Sequence, residues 1–316
     1  MYSITIFIGH SIINSNFYSP CLRFVIPRNS SSILTHQSSV FTITYSSYIN
    51  NPEITKDRLK YYMEILFLGT GTSTGVPSIC CECEVCQSQD SRNKRLRSSI
   101  LVQNKDHTIL VDTSTDLRQQ CLLYGIKKID TVLYTHHHAD HVHGIDELRS
   151  FNFFNKTALP IYGNAQTLRH LNINFSYIFG KAEQVGGGIP QLIPTQLKNK
   201  TYNFGGIRVI PLDIQHGKLI INGFRLNDCA YITDCSGIPN TTWEKLKGLK
   251  VLVLNALGFK PHSTHFNLSQ ALEAAKSINA ERTILTHINH HFDHEKVTRN
   301  LPEGVELAID GMRIVL

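Results

Sequence analysis

Thr131-Val132-Leu133-Tyr134-Thr135-His136-His137-His138-Ala139-Asp140-His141 is the stretch on which the reading of this chain turns. Its first five residues are apolar or β-branched, the composition of a buried strand. Just past a strand the backbone is still extended, so residues two apart project to the same side. His136 and His138 can therefore grip one ion, while His137 points away from them. Asp140 and His141 lie where the chain turns and can face a second ion. Imidazole nitrogen and carboxylate oxygen suit zinc, manganese or iron. A histidine tract alone is weak evidence for a metal site, so the rest of the chain has to supply partners.

The same grammar recurs along the sequence. Residues 64–68 form an apolar run stopped by Gly69-Thr70-Gly71, and residues 108–111 end at Asp112. Residues 207–212 precede His216, 230–233 precede Asp234, 251–254 precede Asn255, and 283–286 precede His287. Each run reads as a buried strand with a chemically useful residue at its C-terminal end. His216, Asp234 and His287 are thus expected where strand ends converge. A carboxylate between two cations neutralises charge and holds them at the roughly 3.5–4 Å typical of two-metal sites. Asp234 is the candidate for that place. The spacing also predicts a helix over residues 267–278, with Leu268, Ala271, Leu272, Ala275 and Ile278 on one face. Asn267 and Gln270 fit a capping box at its start. Strands alternating with helices imply the α/β class.

With 316 residues, 41% of them hydrophobic and 18% charged, the chain is long enough for a large buried core. No apolar run reaches the roughly 18 residues of a membrane-spanning helix. Residues 1–62 differ from the rest. They hold Ser30-Ser31-Ser32, Ser38-Ser39 and Ser46-Ser47, scattered arginine, and no acid before Glu53. Such a composition matches a disordered extension serving as a plastid or mitochondrial transit peptide; without targeting the protein would be cytoplasmic. The folded domain is then 63–316. The net charge is +6, of which Arg23 and Arg28 in the acid-free first fifty residues supply two. The remainder suits a small anionic substrate and gives no sign of nucleic-acid or membrane partners. Gly186-Gly187-Gly188-Ile189-Pro190 reads as a surface loop, or as a lid beside the site.

Four of the eight cysteines crowd into residues 80–86. Neighbours this close cannot all pair as disulfides, so metal binding in a reducing compartment is the better reading. Cys81-x-Cys83-x-x-Cys86 offers three thiolates, although Cys80-x-x-Cys83 is also a valid spacing. A structural zinc needs four nitrogen or sulfur donors. Cys21, Cys121, Cys229 and Cys235 read as ordinary thiols. His143, His291 and His294 have weak claims as ligands.

With the His136-x-His138-x-Asp140-His141 motif and its distant partners, the chain resembles the metallo-β-lactamase superfamily. More narrowly, it resembles the phosphoribosyl cyclic phosphodiesterase group and its uncharacterised hydrolase relatives. That likeness covers residues 63–316. It rests also on Gly69-Thr70-Gly71, the cysteine insert, the Thr233–Pro239 stretch, Thr286-His287-Ile288-Asn289-His290, and Asp310-Gly311-Met312. The resemblance implies a four-layer αββα sandwich of α/β (α+β) class. It implies one ion on His136, His138 and His216, a second on Asp140, His141 and His287, and Asp234 bridging, the ions being zinc or manganese. It favours Cys81 over Cys80, and supplies His290 as fourth ligand of a structural zinc. It also implies that His265, just ahead of the 267–278 helix, enters the site as phosphate contact or general acid; His262 has a lesser claim. The expected reaction is hydrolysis of a small, cyclic phosphodiester by a metal-bridging hydroxide, with Asp140 orienting the nucleophile and His265 protonating the leaving oxygen. A homodimer is common in the group. Two other activities of the superfamily compete. One is tRNA 3′-end processing, for which residues 180–200 make a poor tRNA-holding arm. The other is thioester or lactone hydrolysis. A metal-binding module without catalysis is the reading from a different class.

Overall fold

The computed structural model describes residues 2–8, 11–17, 62–180 and 188–316. The chain divides into two compact units, 1–54 and 55–316. In the first, β1 (Tyr2–Ile8) and β2 (Ser11–Phe17) form an antiparallel hairpin with Tyr2 opposite Phe17. Part of the extension expected to be disordered is therefore strand. The isoleucine-rich stretches 4–8 and 12–13 favour that state. The serine runs behind the targeting reading lie outside the described residues, as do Gly186 and Gly187.

The second unit holds two seven-stranded mixed sheets. One runs in the order β16 (Arg313–Val315), β3 (Glu64–Gly69), β4 (Ser99–Gln103), β5 (Thr108–Val111), β6 (Thr131–Leu133), β7 (Leu159–Gly163), β8 (Leu192–Gln196). The other runs β15 (Val305–Leu307), β14 (Arg282–Thr286), β13 (Val251–Asn255), β12 (Cys229–Ile232), β11 (Leu219–Leu226), β10 (Ile207–His216), β9 (Tyr202–Phe204).

Alternation along the strands shows how the layers stack. Ile65, Phe67, Ile100 and Val102 of the first sheet meet Val209, Phe224, Tyr231, Val251 and Val253 of the second in one buried cluster between the sheets. The intervening residues face outward. Leu66, Leu68, Leu110 and Val132 pack on Leu117, Val142, Leu148 and Leu171 from helices of the first sheet's outer face. Ile214, Ile232, Leu254 and Leu285 pack on Ala271, Ala275 and Ile278 of the second's. The order is helix, sheet, sheet, helix. Strands buried on both faces must be apolar at every position, which is why they read as unbroken apolar runs.

The helices that matter for the site are α1 (Glu84–Gln87), α2 (Ala139–Val142) and α3 (Leu268–Ile278). The capping box of α3 forms as expected, with Asn267 accepting from the Gln270 backbone and Gln270 accepting from the Asn267 N–H. Its buried face differs from the expected one: Ala274 is buried, and Leu268 and Leu272 are only half-buried. Strand β10 also runs further than expected, to His216, because the hairpin with β11 keeps pairing up to His216 opposite Leu219. Among the described residues, no helix is long and apolar enough to cross a membrane.

Candidate metal centre

The useful residues gather at one edge of the sandwich, at strand ends from both sheets. Asp112 follows β5 and the His136–His141 run follows β6. His216 ends β10, Asp234 follows β12 and His287 follows β14. Asp112, Asp234 and His287 have left-handed backbones, with φ of 65°, 55° and 55°. Residues other than glycine rarely adopt that conformation, and it costs on the order of 1 kcal/mol or more where surroundings enforce it. Here it turns each side chain out of the pleat and across the strand ends.

Two compact donor groups result, each with its donor atoms within 4.8 Å of one another: His136, His138 and His216; and Asp140, His141, Asp234 and His287. A third overlapping group, His216, Asp234 and His265, joins them. In the first, His138 Nδ1 lies 3.0 Å from His136 Nε2 and 3.3 Å from His216 Nε2. In the second, His141 Nε2 lies 3.1 Å from Asp140 Oδ2 and 3.3 Å from Asp234 Oδ2, and His287 Nε2 lies 3.3 Å from Asp234 Oδ1. His265 Nε2 stands 2.9 Å from Asp234 Oδ1.

The hydrogen bonds behind these groups set the tautomers. Asp112 is fully buried and accepts from the Thr135 N–H (2.8 Å), the Thr135 hydroxyl (2.7 Å) and His141 Nδ1 (2.7 Å). His216 Nδ1 donates to the Thr264 carbonyl at 2.8 Å. Since Thr135 Oγ1 donates to Asp112, it accepts from His136 Nδ1 at 3.0 Å. The Nε2 lone pairs of His136, His141 and His216 are thereby aimed at one another and at carboxylates. His141 Nε2 is buried with no hydrogen-bond partner. An inward-facing imidazole lone pair left unpaired among carboxylates is the arrangement a divalent cation satisfies, so the donor set fits metal.

The electrostatics agree with that fit. Burial raises Asp112, against the pull of His141. Burial would also raise Asp140 and Asp234, but the imidazoles of His141 and His287 hold both carboxyls below the usual range. Burial depresses His136 far below an ordinary histidine and brings His287 down to about 4. Burial would depress His141 too, yet Asp140, Asp234 and Asp112 lift it well above. Asp140 and Asp234 thus stay ionised and His136 and His287 neutral, as ligands must be.

The cysteine corner lies beside this basin. The sulfurs of Cys81, Cys83 and Cys86 lie 3.1, 3.5 and 3.6 Å from His290 Nδ1. The Cys86 N–H holds the Cys83 thiol down to about 6, while burial pushes Cys86 up to about 11. Cys80 is exposed with φ 62° and lies outside the group.

His137 points elsewhere, stacked on His170 with ring centroids 3.8 Å apart. His143 packs against Phe175, and His294, though buried, joins no donor group. The sequence reading assigned no role to Asp112, Thr135, Thr264 or Ser98, which hold the donors in place, nor to Thr72, which meets His287 Nε2. Asp112 alone carried a signal, because it ends an apolar run as Asp234 does.

A β-lactamase superfamily domain matches residues 107–288. The chain belongs to that superfamily, and is a metal-dependent hydrolase. Within the superfamily it is similar to a solved diphosphatase from the PhnP family, at 40% identity and a TM-score of 0.76, over 81% of this chain and 97% of that one. It is 34% identical over 257 residues to an octanoyltransferase of Porphyromonas gingivalis, over 80% of this chain but only 52% of that protein. The match thus spans about half of that relative's length. Zn2+-bound PqqB from Methylobacterium extorquens shares the fold at 18% identity and a TM-score of 0.64, over 79% of this chain and 99% of that one.

Proposed function

We propose that this superfamily member hydrolyses a small phosphodiester, cyclic phosphates among them, at a dinuclear site. One ion would sit on His136, His138 and His216, the other on Asp140, His141 and His287. The observation that carries the reading is Asp234: its Oδ2 faces His141 while its Oδ1 faces His287 and His265, and it belongs to two of the three donor groups. A third metal, zinc by its thiolate donors, would sit on Cys81, Cys83, Cys86 and His290.

Bound divalent ions supply a water of lowered pKa and draw charge from phosphoryl oxygens. The chain's own groups do the rest. Asp140 and Asp234 bring the negative charge that holds two cations close, and Asp140 borders the place where a nucleophile would be oriented. His265 Nε2 donates to Asp234 Oδ1, so its proton faces the basin, where a departing alkoxide would take it. The modest net charge leaves room for a small anion.

The likeness to a diphosphatase favours a second reading, in which the scissile bond is a phosphoanhydride. A panel of cyclic ribose phosphates, bis-p-nitrophenyl phosphate, dinucleoside diphosphates and an acyl thioester distinguishes the two, run on protein of measured metal content. Turnover of cyclic phosphates or the bis-aryl ester is the expected outcome. Anhydride cleavage alone would move the assignment to the second reading. Thioester cleavage with no phosphorus substrate turned over would sink both.

A further inference from the structure

Resting on that phosphoryl-transfer reading, we propose that Thr72 is a substrate-contacting residue whose hydroxyl donates a hydrogen bond to a phosphoryl oxygen at the His287 side of the basin. Thr72 sits on the turn after β3. Two backbone bonds fasten that turn to the loop after β14: Ile288 N–H to the Thr70 carbonyl at 2.9 Å, and Thr72 N–H to the Ile288 carbonyl at 3.1 Å. At Gly71 the backbone passes so close to its neighbours that a Cβ would lie 2.9 Å from the Arg95 carbonyl oxygen. Arg97 donates to the Ser73 carbonyl and is itself held by Asp116. The hydroxyl is thus delivered by a fastened backbone.

Thr72 is only 7% exposed, and among the described residues its Oγ1 has one partner, His287 Nε2 at 3.3 Å. The direction of that bond follows from the other side of the ring. Ser98 Oγ donates its single proton to the Gly71 carbonyl at 2.9 Å, so it can only accept from His287 Nδ1, 3.2 Å away. His287 therefore carries its proton on Nδ1, and Nε2 offers a lone pair. Thr72 is the donor to it.

A cation ligated by His287 takes the same lone pair. The Thr72 hydroxyl then keeps a proton, in a buried place, with its acceptor gone. A buried donor left unmade is costly, so the hydroxyl turns to the next acceptor at that position. Asp234 Oδ1 is already engaged by His265, 2.9 Å away. The acceptor that arrives with substrate is a phosphoryl oxygen, and a hydrogen bond to a charged oxygen is among the stronger kinds. The hydroxyl is therefore satisfied by His287 in the free protein and by substrate in the loaded one.

The test uses the metal-loaded full chain, with inorganic phosphate as the probe in isothermal titration calorimetry and metal content measured in parallel. Thr72→Val keeps the shape and loses the hydroxyl; Thr72→Ser keeps the hydroxyl. Thr72→Val should weaken phosphate about ten- to a hundredfold at unchanged metal content. Thr72→Ser should stay within about threefold of wild type, a margin well below one charge-assisted hydrogen bond. If valine disturbs folding, Thr72→Ala gives the same comparison. Equal phosphate affinity in wild type and the hydroxyl-free variants overturns the contact. So does loss of metal with unchanged phosphate affinity per loaded site, which would make Thr72 a support for His287 alone. Failure of wild-type holoprotein to bind phosphate overturns the phosphoryl reading and this contact with it.

Discussion

The histidine basin and the cysteine corner share a loop, His287 and His290 standing three residues apart, but the chain builds them on opposite plans. The basin takes donors from the ends of strands in both sheets, and nearly all of them are buried. The corner takes three of its four donors from residues 81–86, and three of the four are only half-buried. Its thiols are soft donors on a short helix and the turn before it; the basin's are imidazoles and carboxylates fixed by a second layer of hydrogen bonds. A site drawn from both sheets exists only once they have packed, so ion binding there reports on the whole domain. The corner needs one distant partner and reports on one loop.

The largest expected effect separates the two at once. Asp234→Ala should lower phosphodiester turnover on the order of 10^3-fold and empty the basin, while the corner keeps its metal. Mass-spectrometric metal analysis beside bis-p-nitrophenyl phosphate assays checks it; wild-type activity at full occupancy would refute the bridging role. Next is Asp112→Asn. It keeps the shape but spoils acceptance from His141 Nδ1, and should weaken metal at the basin about ten- to a hundredfold in competition with a chelator. Unchanged affinity would mean that the buried Asp112–His141 contact does not tune the ligand.

Cys83→Ser addresses the other plan. The protein should lose about one metal equivalent and melt earlier, yet keep turnover within about tenfold, because the basin's donors do not include the corner. Collapse of basin occupancy as well would show that the shared loop couples the two sites. The smallest effect lies at Asp310, a carboxyl outside both sites that accepts from Thr70 Oγ1 and the Leu96 N–H. Burial pushes it up to about 7. Its folded value is above the unfolded one, so the folded state binds more protons between about pH 4 and 7, and stability falls as pH rises through that window. Asp310→Asn removes the titration, so the variant's melting temperature minus the wild type's should climb by a few degrees from pH 4 to 7. A difference that stays flat would place Asp310 in the ordinary carboxyl range.

These contrasts also explain what could be read in advance. The residue 131–141 run exposed the basin because alternation after a strand is a local property. The capping box at Asn267 and Gln270 was equally local. His216 was expected beyond its strand and lies within it, because the β11 partner that extends the pairing cannot be seen from β10 alone. Ala274 joins the buried face of α3 while Leu268 and Leu272 stay half-buried, because the packing against the second sheet, which helical spacing does not show, decides how deep each position lies. The residues that meet the donors from elsewhere in the chain were the least legible. Asp112 meets His141 across 29 residues and Thr72 meets His287 across 215. Each is a single ordinary side chain whose role exists only when distant turns are brought together.

The left-handed backbones at Asp234 and His287 bear on any attempt to change which metal this protein prefers. Exchanging a donor, histidine for cysteine or aspartate for glutamate, is the usual way to retune an ion site. At these two positions the incoming residue would also have to accept a φ of 55°, which Asp and Asn tolerate better than most. His136, His138 and His216 carry no such restriction. A designer should therefore vary the three-histidine side of the basin and leave the Asp234 and His287 side as it stands.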